Sequence, residues 1–177
     1  TQATLDYNAT PGSPDINTTA IGFGEVYAYA EKGGNDTAIL NGSNAADKFY
    51  GLAPYSYFKA ADNAYFNYAR GFDAVTANSV GVGDRAFLFG SDGDDILNAG
   101  SNSAYFTLNP TAAAQTINNA TAFDHVYSYA SGGGNDQAYL MGTTGADSFT
   151  ADADWGAIRS RGSTDYYSYF RYFDEVF

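Results

Sequence analysis

The chain has 177 residues, no cysteine and a formal net charge of −12. Its length suits one domain or one run of repeats, and the lack of cysteine excludes disulfides and thiolate metal sites. The acidic balance disfavours nucleic acid and anionic membranes as partners, because like charges repel. Hydrophobic residues make up 45% of the chain, including 16 Tyr and 13 Phe. This composition predicts an almost wholly β chain rather than a disordered one.

Short predicted strands, separated by turns, follow one another along the first part of the chain. Residues 1–20 form an extension rich in Thr, Asn and Pro, with a short strand predicted over Thr4–Tyr7. We interpret this extension as a linker or as a strand donated to another copy. Period-two patterning then predicts further strands, namely Val26–Ala30, Thr37–Asn41, Lys48–Gly51, one near Tyr57–Ala60 and Tyr65–Phe72.

An internal repeat organises the rest of the chain. The phrase Phe-Asp-x-Val begins at Phe72, Phe123 and Phe173, and a variant begins at Phe23, so that the Phe positions are 49, 51 and 50 residues apart. A fixed period of this size is the signature of a repeat architecture. We predict a repeat domain over residues 21–177, with units at about 23–71, 72–122 and 123–172 and the start of a fourth at residue 173.

Within each unit the same residue types recur in register. A Gly-rich turn ends in an aspartate, an Ala-x-Leu pair follows it, and a second aspartate stands eleven residues after the first. The two sets of aspartates are Asp36, Asp84 and Asp136, and Asp47, Asp95 and Asp147. Short Asp side chains bond the backbone of their own turn, so turn stabilisation is the favoured role. A small Ala two residues from a large Leu predicts layers stacked on identical layers.

Three architectures fit several short strands per unit. A parallel β-helix, or β-solenoid, has coils of about 20–30 residues, so each unit would supply two coils with like residues stacked in ladders. A β-propeller-like or other antiparallel β repeat is the alternative, although closure of a propeller needs at least about four blades. Tandem sandwiches need larger units to hold separate cores. We favour the β-solenoid built from three repeats.

One segment resembles a known calcium-binding repeat. The run from Gly90 to Gly100, with the sequence GSDGDDILNAG, is similar to one unit of the RTX, or hemolysin-type, repeat. In that family, turns from successive coils sandwich Ca²⁺, and the units occur in tandem, whereas each fifty-residue unit here carries one such turn. The resemblance makes Asp92, Asp94 and Asp95 the candidate metal ligands, since carboxylates on one loop suit a hard cation. We expect either no cofactor or Ca²⁺ at this turn.

The whole unit resembles the repeats of very large secreted or cell-surface proteins of planctomycetes and similar bacteria. The resemblance covers most of the chain, through Phe-Asp-x-Val-x-Ala-x-Ala, Gly-Gly-x-Asp-x-Ala-x-Leu and Asp-x-Phe. It implies an extracellular or cell-surface location and a role without catalysis.

Catalytic signals are weak in this sequence. An active site is a single irregular place, whereas the aspartates recur in every unit. The one histidine, His125, occupies a variable slot that holds Glu25, Ala74 and Glu175 in the other units. We therefore name no catalytic residue and expect that the protein is not an enzyme.

The aromatic residues near the C-terminus are the candidate contact surface. They are Tyr166, Tyr167, Tyr169, Phe170, Tyr172, Phe173 and Phe177. Exposed aromatic stripes mark interfaces or sugar-binding platforms, and we favour contact with another subunit. Asn-x-Ser/Thr sequons make five further positions candidate glycosylation sites: Asn8, Asn17, Asn35, Asn41 and Asn119.

These features together predict a non-catalytic extracellular structural protein, a repeat module of a filament, stalk or adhesin. The fourth unit begins at Phe173 without a visible polar cap, so we expect end-to-end assembly with copies of itself, as a head-to-tail homopolymer, or with further repeats. The alternative is a calcium- or carbohydrate-binding surface module with surface glycans as partners. Membrane insertion is not expected, because no apolar run approaches transmembrane length.

Overall fold

The computed structural model describes residues 2–7, 16–30, 34–111, 115–162 and 166–177. In this part of the chain every regular element is a strand, which confirms the all-β prediction. The described residues include no long apolar helix of the kind that crosses a membrane. The strands in chain order are β1 Gln2–Tyr7, β2 Ile16–Ile21, β3 Glu25–Tyr29, β4 Thr37–Asn41, β5 Asp47–Gly51, β6 Tyr55–Ala60, β7 Phe66–Arg70, β8 Ala74–Asn78, β9 Arg85–Phe89, β10 Asp95–Ala99, β11 Ser103–Leu108, β12 Thr116–Thr121, β13 His125–Tyr129, β14 Gln137–Leu140, β15 Asp147–Ala151, β16 Trp155–Ser160, β17 Tyr167–Arg171 and β18 Glu175–Val176.

The strands predicted from periodicity lie close to the observed ones. β4 has the predicted bounds, and β3, β5, β6 and β7 begin or end within one or two residues of them. β1 includes the predicted strand Thr4–Tyr7 and pairs with β4 of the same chain, while β2 pairs with β1 as a hairpin. The N-terminal extension is thus part of a sheet in this chain, and its donation to another copy stays a prediction.

The strands form two mixed sheets of nine strands each, and neither sheet closes on itself. Sheet A has the order β18-β14-β10-β11-β12-β8-β4-β1-β2, and sheet B has the order β15-β16-β17-β13-β9-β5-β6-β7-β3. Separate four-stranded blades, as a propeller would have, are not observed in the described residues. The inner faces of the two sheets enclose the apolar core.

Consecutive repeats exchange sheets. The first strand of each unit is β3, β8, β13 and β18, and these strands lie in sheets B, A, B and A in turn. The number of residues between two paired parallel strands is therefore smaller than the repeat period of about fifty residues. For example, Thr37 pairs with Ala74, and Ala74 pairs with Ile117. The expected two coils of 20–30 residues per unit are wrong, because the path between parallel neighbours includes a three-stranded antiparallel meander such as β5-β6-β7.

Inside the core, large side chains lie beside small ones. Phe49 and Val126 pair with Ala86 from opposite sides, and Leu97 pairs with Ala138. The expectation of like residues stacked between neighbouring strands fails at these pairs but holds where Ala77 pairs with Ala120. A large side chain beside a small one fills the layer without voids or overlap.

Candidate functional site

Buried aspartates tie the turns of consecutive units together. The backbone N–H of Asp47 donates to Asp84 Oδ1 at 2.7 Å, and the N–H of Asp95 donates to Asp136 Oδ1 at 2.9 Å. The N–H of Asp136 in turn donates to Asp174 Oδ2 at 2.8 Å. A carboxylate that accepts buried backbone N–H groups satisfies donors that would otherwise be unpaired. The recurring aspartates therefore have a structural role in the turns.

The candidate calcium turn uses its carboxylates in the same way. Asp95 is buried, and its carboxylate accepts bonds from the N–H and Oγ of Ser91 and from the N–H of Asn109. Asp92 and Asp94 are both exposed, and Asp94 accepts the N–H of Asn135 at 2.8 Å. Among the described residues no group of three or more His, Cys, Asp or Glu is arranged to hold a metal ion. Calcium binding by Asp92, Asp94 and Asp95 stays a prediction.

Burial changes the acidity of two aspartates of the turns, Asp136 and Asp47. Burial raises the pKa of Asp136 from 3.8 to about 6, and the neighbouring carboxylates of Asp95, Asp174 and Asp94 act in the same direction. Burial also raises the pKa of Asp47, against hydrogen bonds that lower it. Desolvation disfavours the charged form of an acid, so both groups bind a proton more tightly than a solvent-exposed aspartate does.

The outer face of sheet B carries a continuous row of aromatic rings, which we call the aromatic row. Each ring lies on the strand next to the previous one, in register across seven strands. Tyr50 stacks on Tyr57 with ring centroids 4.6 Å apart and on Phe87 with centroids 4.9 Å apart. The members of the row, in spatial order, are Tyr27, Tyr68, Tyr57, Tyr50, Phe87, Tyr127 and Tyr169.

A second row on the same face concentrates positive charge, and we call it the cationic row. It lies two residues along each strand from the aromatic row, so that Lys48 precedes Tyr50 and Arg85 precedes Phe87. In spatial order its positions are Glu25, Phe66, Lys59, Lys48, Arg85, His125, Tyr167 and Arg159. Sequence reasoning missed this row. A signal for it is present in the sequence, because several predicted strands carry a Lys or Arg two residues away from an aromatic residue that points outward.

The outer face of sheet A differs in chemistry. Its outward positions hold mainly Thr, Asn and a few apolar residues, as in the cross-strand set Ile39, Thr76 and Asn119. Asn78 Nδ2 donates to Asn41 Oδ1 at 2.8 Å on this face. No lysine or arginine lies in the described strands of sheet A. The outer faces of the two sheets therefore differ in charge.

An apolar cleft of about 550 Å³ opens between the sheets at the end formed by β15 and β18. Phe149 is 57% exposed there, and Phe177 is 60% exposed. Its apolar lining residues are Leu140, Phe149, Ala151, Ala153, Trp155, Ile158, Phe170, Phe173, Val176 and Phe177.

The predicted contact residues fall into four groups. Tyr167 and Tyr169 lie on the outer face of sheet B, and Phe170, Phe173 and Phe177 line the cleft, although Phe170 is itself buried in the core. Tyr172 is exposed at a turn, where Arg171 lies 4.5 Å from the centre of its ring. Tyr166 is only 4% exposed, which corrects its place in a contact surface: strand alternation turns its side chain toward the interior.

The sequons also differ in their surroundings. Asn35 is exposed, Asn41 is hydrogen-bonded on the outer face of sheet A, and Asn119 Nδ2 donates to Thr76 Oγ1 at 3.5 Å. Asn8 and the side chain of Asn17 lie outside the described residues. Glycosylation at all five positions stays a prediction.

Comparison with protein-family models, with curated proteins and with solved structures gives no match for this chain.

Proposed function

We propose that the protein is a non-catalytic structural repeat module of an extracellular or cell-surface assembly, and that the cleft at its β15–β18 end docks a further unit of the same repeat. The finer architecture that we propose is a β-solenoid, in which each added unit extends both sheets. The parallel pairing of β4 with β8, and of β5 with β9 and β13, supports this architecture.

One observation carries the proposal. Phe49, Leu97 and Phe149 occupy the same position in three consecutive units, and their exposures are 0%, 0% and 57%. In the first two units the next unit supplies a parallel strand beside this residue, with Ala86 facing Phe49 and Ala138 facing Leu97. β15 lies at the edge of sheet B and has no such neighbour among the described strands.

The proposed occupant is therefore a strand of the Ala-x-Leu type, like β9 and β14. A small residue in that strand would lie over Phe149, as Ala86 lies over Phe49. Burial of a Phe side chain of this kind contributes about 1.5–3 kcal/mol, which favours docking of a unit with the matching pattern. The opposite end of sheet A differs, because the hairpin β1-β2 already pairs with β4 there.

The test is to add the missing unit. Residues 173–177 correspond to residues 72–76, so a copy of residues 77–126 is fused after Phe177 and continues the repeat in register. We expect a higher melting temperature and slower amide hydrogen exchange in residues 147–151, because β15 gains a partner strand. An added unit that unfolds separately, with unchanged exchange in residues 147–151, would refute the proposal.

Two controls make the result specific. In the first, the copied segment carries Glu at the position of Ala86, which places a charge against Phe149 and should abolish the slower exchange. In the second, sedimentation velocity compares the original chain with Phe149→Glu, because an extended chain ends in an open edge of its own. Self-association that Phe149→Glu abolishes supports docking at the cleft, whereas association that persists unchanged in this variant assigns the contact to another face and contradicts the proposal.

A further inference from the structure

We propose that the outer face of sheet B binds an extended anionic polysaccharide, one that carries carboxylate or sulfate groups and lies across the strands along the aromatic and cationic rows. This proposal rests on different residues from the docking cleft and does not depend on it.

The first argument is charge segregation. The chain has 20 acidic and only 8 basic residues, yet six of the basic residues project from sheet B on one face. They are Lys48, Lys59, Arg70, Arg85, Arg159 and Arg171. On the described strands of this face the only outward acidic residue is Glu25, at the edge strand β3. A positive strip on an otherwise acidic protein attracts a linear anion, while the acidic remainder of the surface repels it and so confines it to the strip.

The second argument is that these cations are available. Arg70, Arg85 and Arg159 are exposed, and Lys48 and Lys59 are half-buried, whereas the guanidinium of Arg171 already lies over the ring of Tyr172. Lys59, Lys48 and Arg85 stand side by side on β6, β5 and β9. Adjacent strands are about 4.8 Å apart, a step comparable to the advance of one sugar ring along an extended chain. The cationic row therefore offers regularly spaced positive groups to a polymer with regularly spaced negative ones.

The third argument concerns what the aromatic row leaves exposed. Tyr50 lies between Tyr57 and Phe87, and Phe87 stacks on Tyr127 with centroids 5.2 Å apart. Because the ring faces cover one another from Tyr57 to Tyr127, this middle part of the row presents ring edges and phenol hydroxyls rather than open faces. Tyrosine hydroxyls are protonated at neutral pH and can donate, and burial raises the pKa of Tyr57 further. Such a surface matches a ligand rich in hydroxyl groups, whereas nucleobases require open ring faces on which to stack.

The fourth argument is the shape of the protein surface near β16, which contains depressions large enough for sugar rings. Two shallow depressions of about 350 and 380 Å³ lie on either side of Arg159. The first is lined by His125, Tyr127 and Tyr167 as well, and the second by Ser148 and Arg161. A guanidinium binds a carboxylate or sulfate with two parallel hydrogen bonds. We therefore assign the acidic group of one sugar to Arg159.

The experiment uses the full chain and four defined probes. These are an oligouronate, a heparin oligosaccharide, a neutral glucan oligosaccharide and a single-stranded oligonucleotide with the same number of charges. Binding is measured by calorimetry at two salt concentrations. We expect the two anionic saccharides to bind, with weaker binding at the higher salt concentration because the contacts are exposed, and no measurable binding of the neutral glucan.

Matched variants locate the site. The pair Lys48→Gln and Arg85→Gln should weaken binding at least tenfold. The control pair Thr76→Glu and Asn98→Asp changes the net charge by the same amount on the outer face of sheet A, and should change affinity less than threefold. Melting curves check that both variants fold.

Three results would overturn the proposal. They are absence of binding by either anionic saccharide, equal weakening in the two double variants, and tighter binding of the oligonucleotide than of the saccharides. If both double variants fail to fold, Arg159→Gln is used alone. The side chain of Arg159 is exposed, so this substitution leaves the core unchanged. Unchanged affinity in that variant contradicts the assignment of Arg159.

Discussion

The carboxylate of Asp84 accepts the backbone N–H of Asp47 at 2.7 Å, although the two residues belong to different repeat units. Asp84 also accepts the hydroxyl of Ser79 at 2.6 Å and is fully buried. One side chain thus stabilises its own turn and connects it to the turn of the previous unit. Aspartate recurs in the sequence because each unit needs a carboxylate that both stabilises its own turn and bonds to the turn of the previous unit.

Replacement of Asp84 should destabilise the whole chain. Asp84→Ala leaves the buried N–H of Asp47 without its acceptor, and an unpaired buried donor costs about 1–3 kcal/mol. Asp154→Ala is the matched control, because Asp154 is exposed, and we expect it to change the unfolding free energy by less than about 0.5 kcal/mol. Urea denaturation measures both. Equal effects of the two changes would contradict the structural role of Asp84.

Stability should depend on pH through Asp136. Its pKa is raised to about 6 from 3.8, so the folded state binds the proton more tightly than the unfolded state does. The resulting stabilisation is complete below about pH 3.8 and is lost as the pH rises through about 6. In Asp136→Asn the amide oxygen still accepts the N–H of Asp95, but the titration is gone.

We therefore expect the stability of Asp136→Asn relative to the natural chain to rise between pH 4 and pH 7. After allowance for solvent screening, the gain is on the order of 1 kcal/mol. Chemical denaturation across this range measures the difference between the two proteins. A difference that stays constant, or that falls as the pH rises, would show that the pKa of Asp136 is not raised.

Equivalent phenylalanines should differ in their contribution to stability. Phe49→Ala removes a fully buried ring and should cost about 3–5 kcal/mol. Phe149→Ala, at the same position of the third unit, removes a ring that is 57% exposed, and should cost less than about 1.5 kcal/mol. Urea denaturation compares the two variants. A large loss in Phe149→Ala in the isolated chain would mean that this ring is already covered.

Two glycines with the same backbone conformation should respond differently to alanine. Gly71 and Gly22 have φ values of +78° and +77°, so both substitutions carry the strain of a left-handed conformation, about 1–2 kcal/mol. A Cβ at Gly71 would also lie 2.2 Å from the carbonyl oxygen of Ala30, whereas a Cβ at Gly22 meets nothing within 4 Å.

Gly71→Ala should therefore be more destabilising than Gly22→Ala by about 1–3 kcal/mol, the usual cost of overpacking. Thermal unfolding of the two variants under the same conditions measures the difference. If both variants lose the same amount of stability, the backbone at Gly71 must lie farther from Ala30 than it does in this structure, and the predicted clash is wrong.

The sequence by itself determined the secondary structure and the repeat. Period-two patterning and Gly-rich turns are local signals, so the bounds of β4 could be predicted from Thr37–Asn41 alone. The role of the aspartates in turns could be predicted for the same reason, since a short Asp side chain bonds the backbone of its own turn. The hydrogen bond between Asp47 and Asp84, however, joins residues that are far apart in the sequence, so it could not be predicted from the order of the residues.

Only the tertiary structure decided which strands are neighbours. A meander placed in alternate sheets makes Phe49 meet Ala86 rather than Phe149, and it brings Lys59, Lys48 and Arg85 together on one face. Sequence patterning specifies which face of a strand is buried, but not which strand lies beside it. The cationic row and the exposed Phe149 are both consequences of strand order, and for that physical reason they appear only in the folded chain.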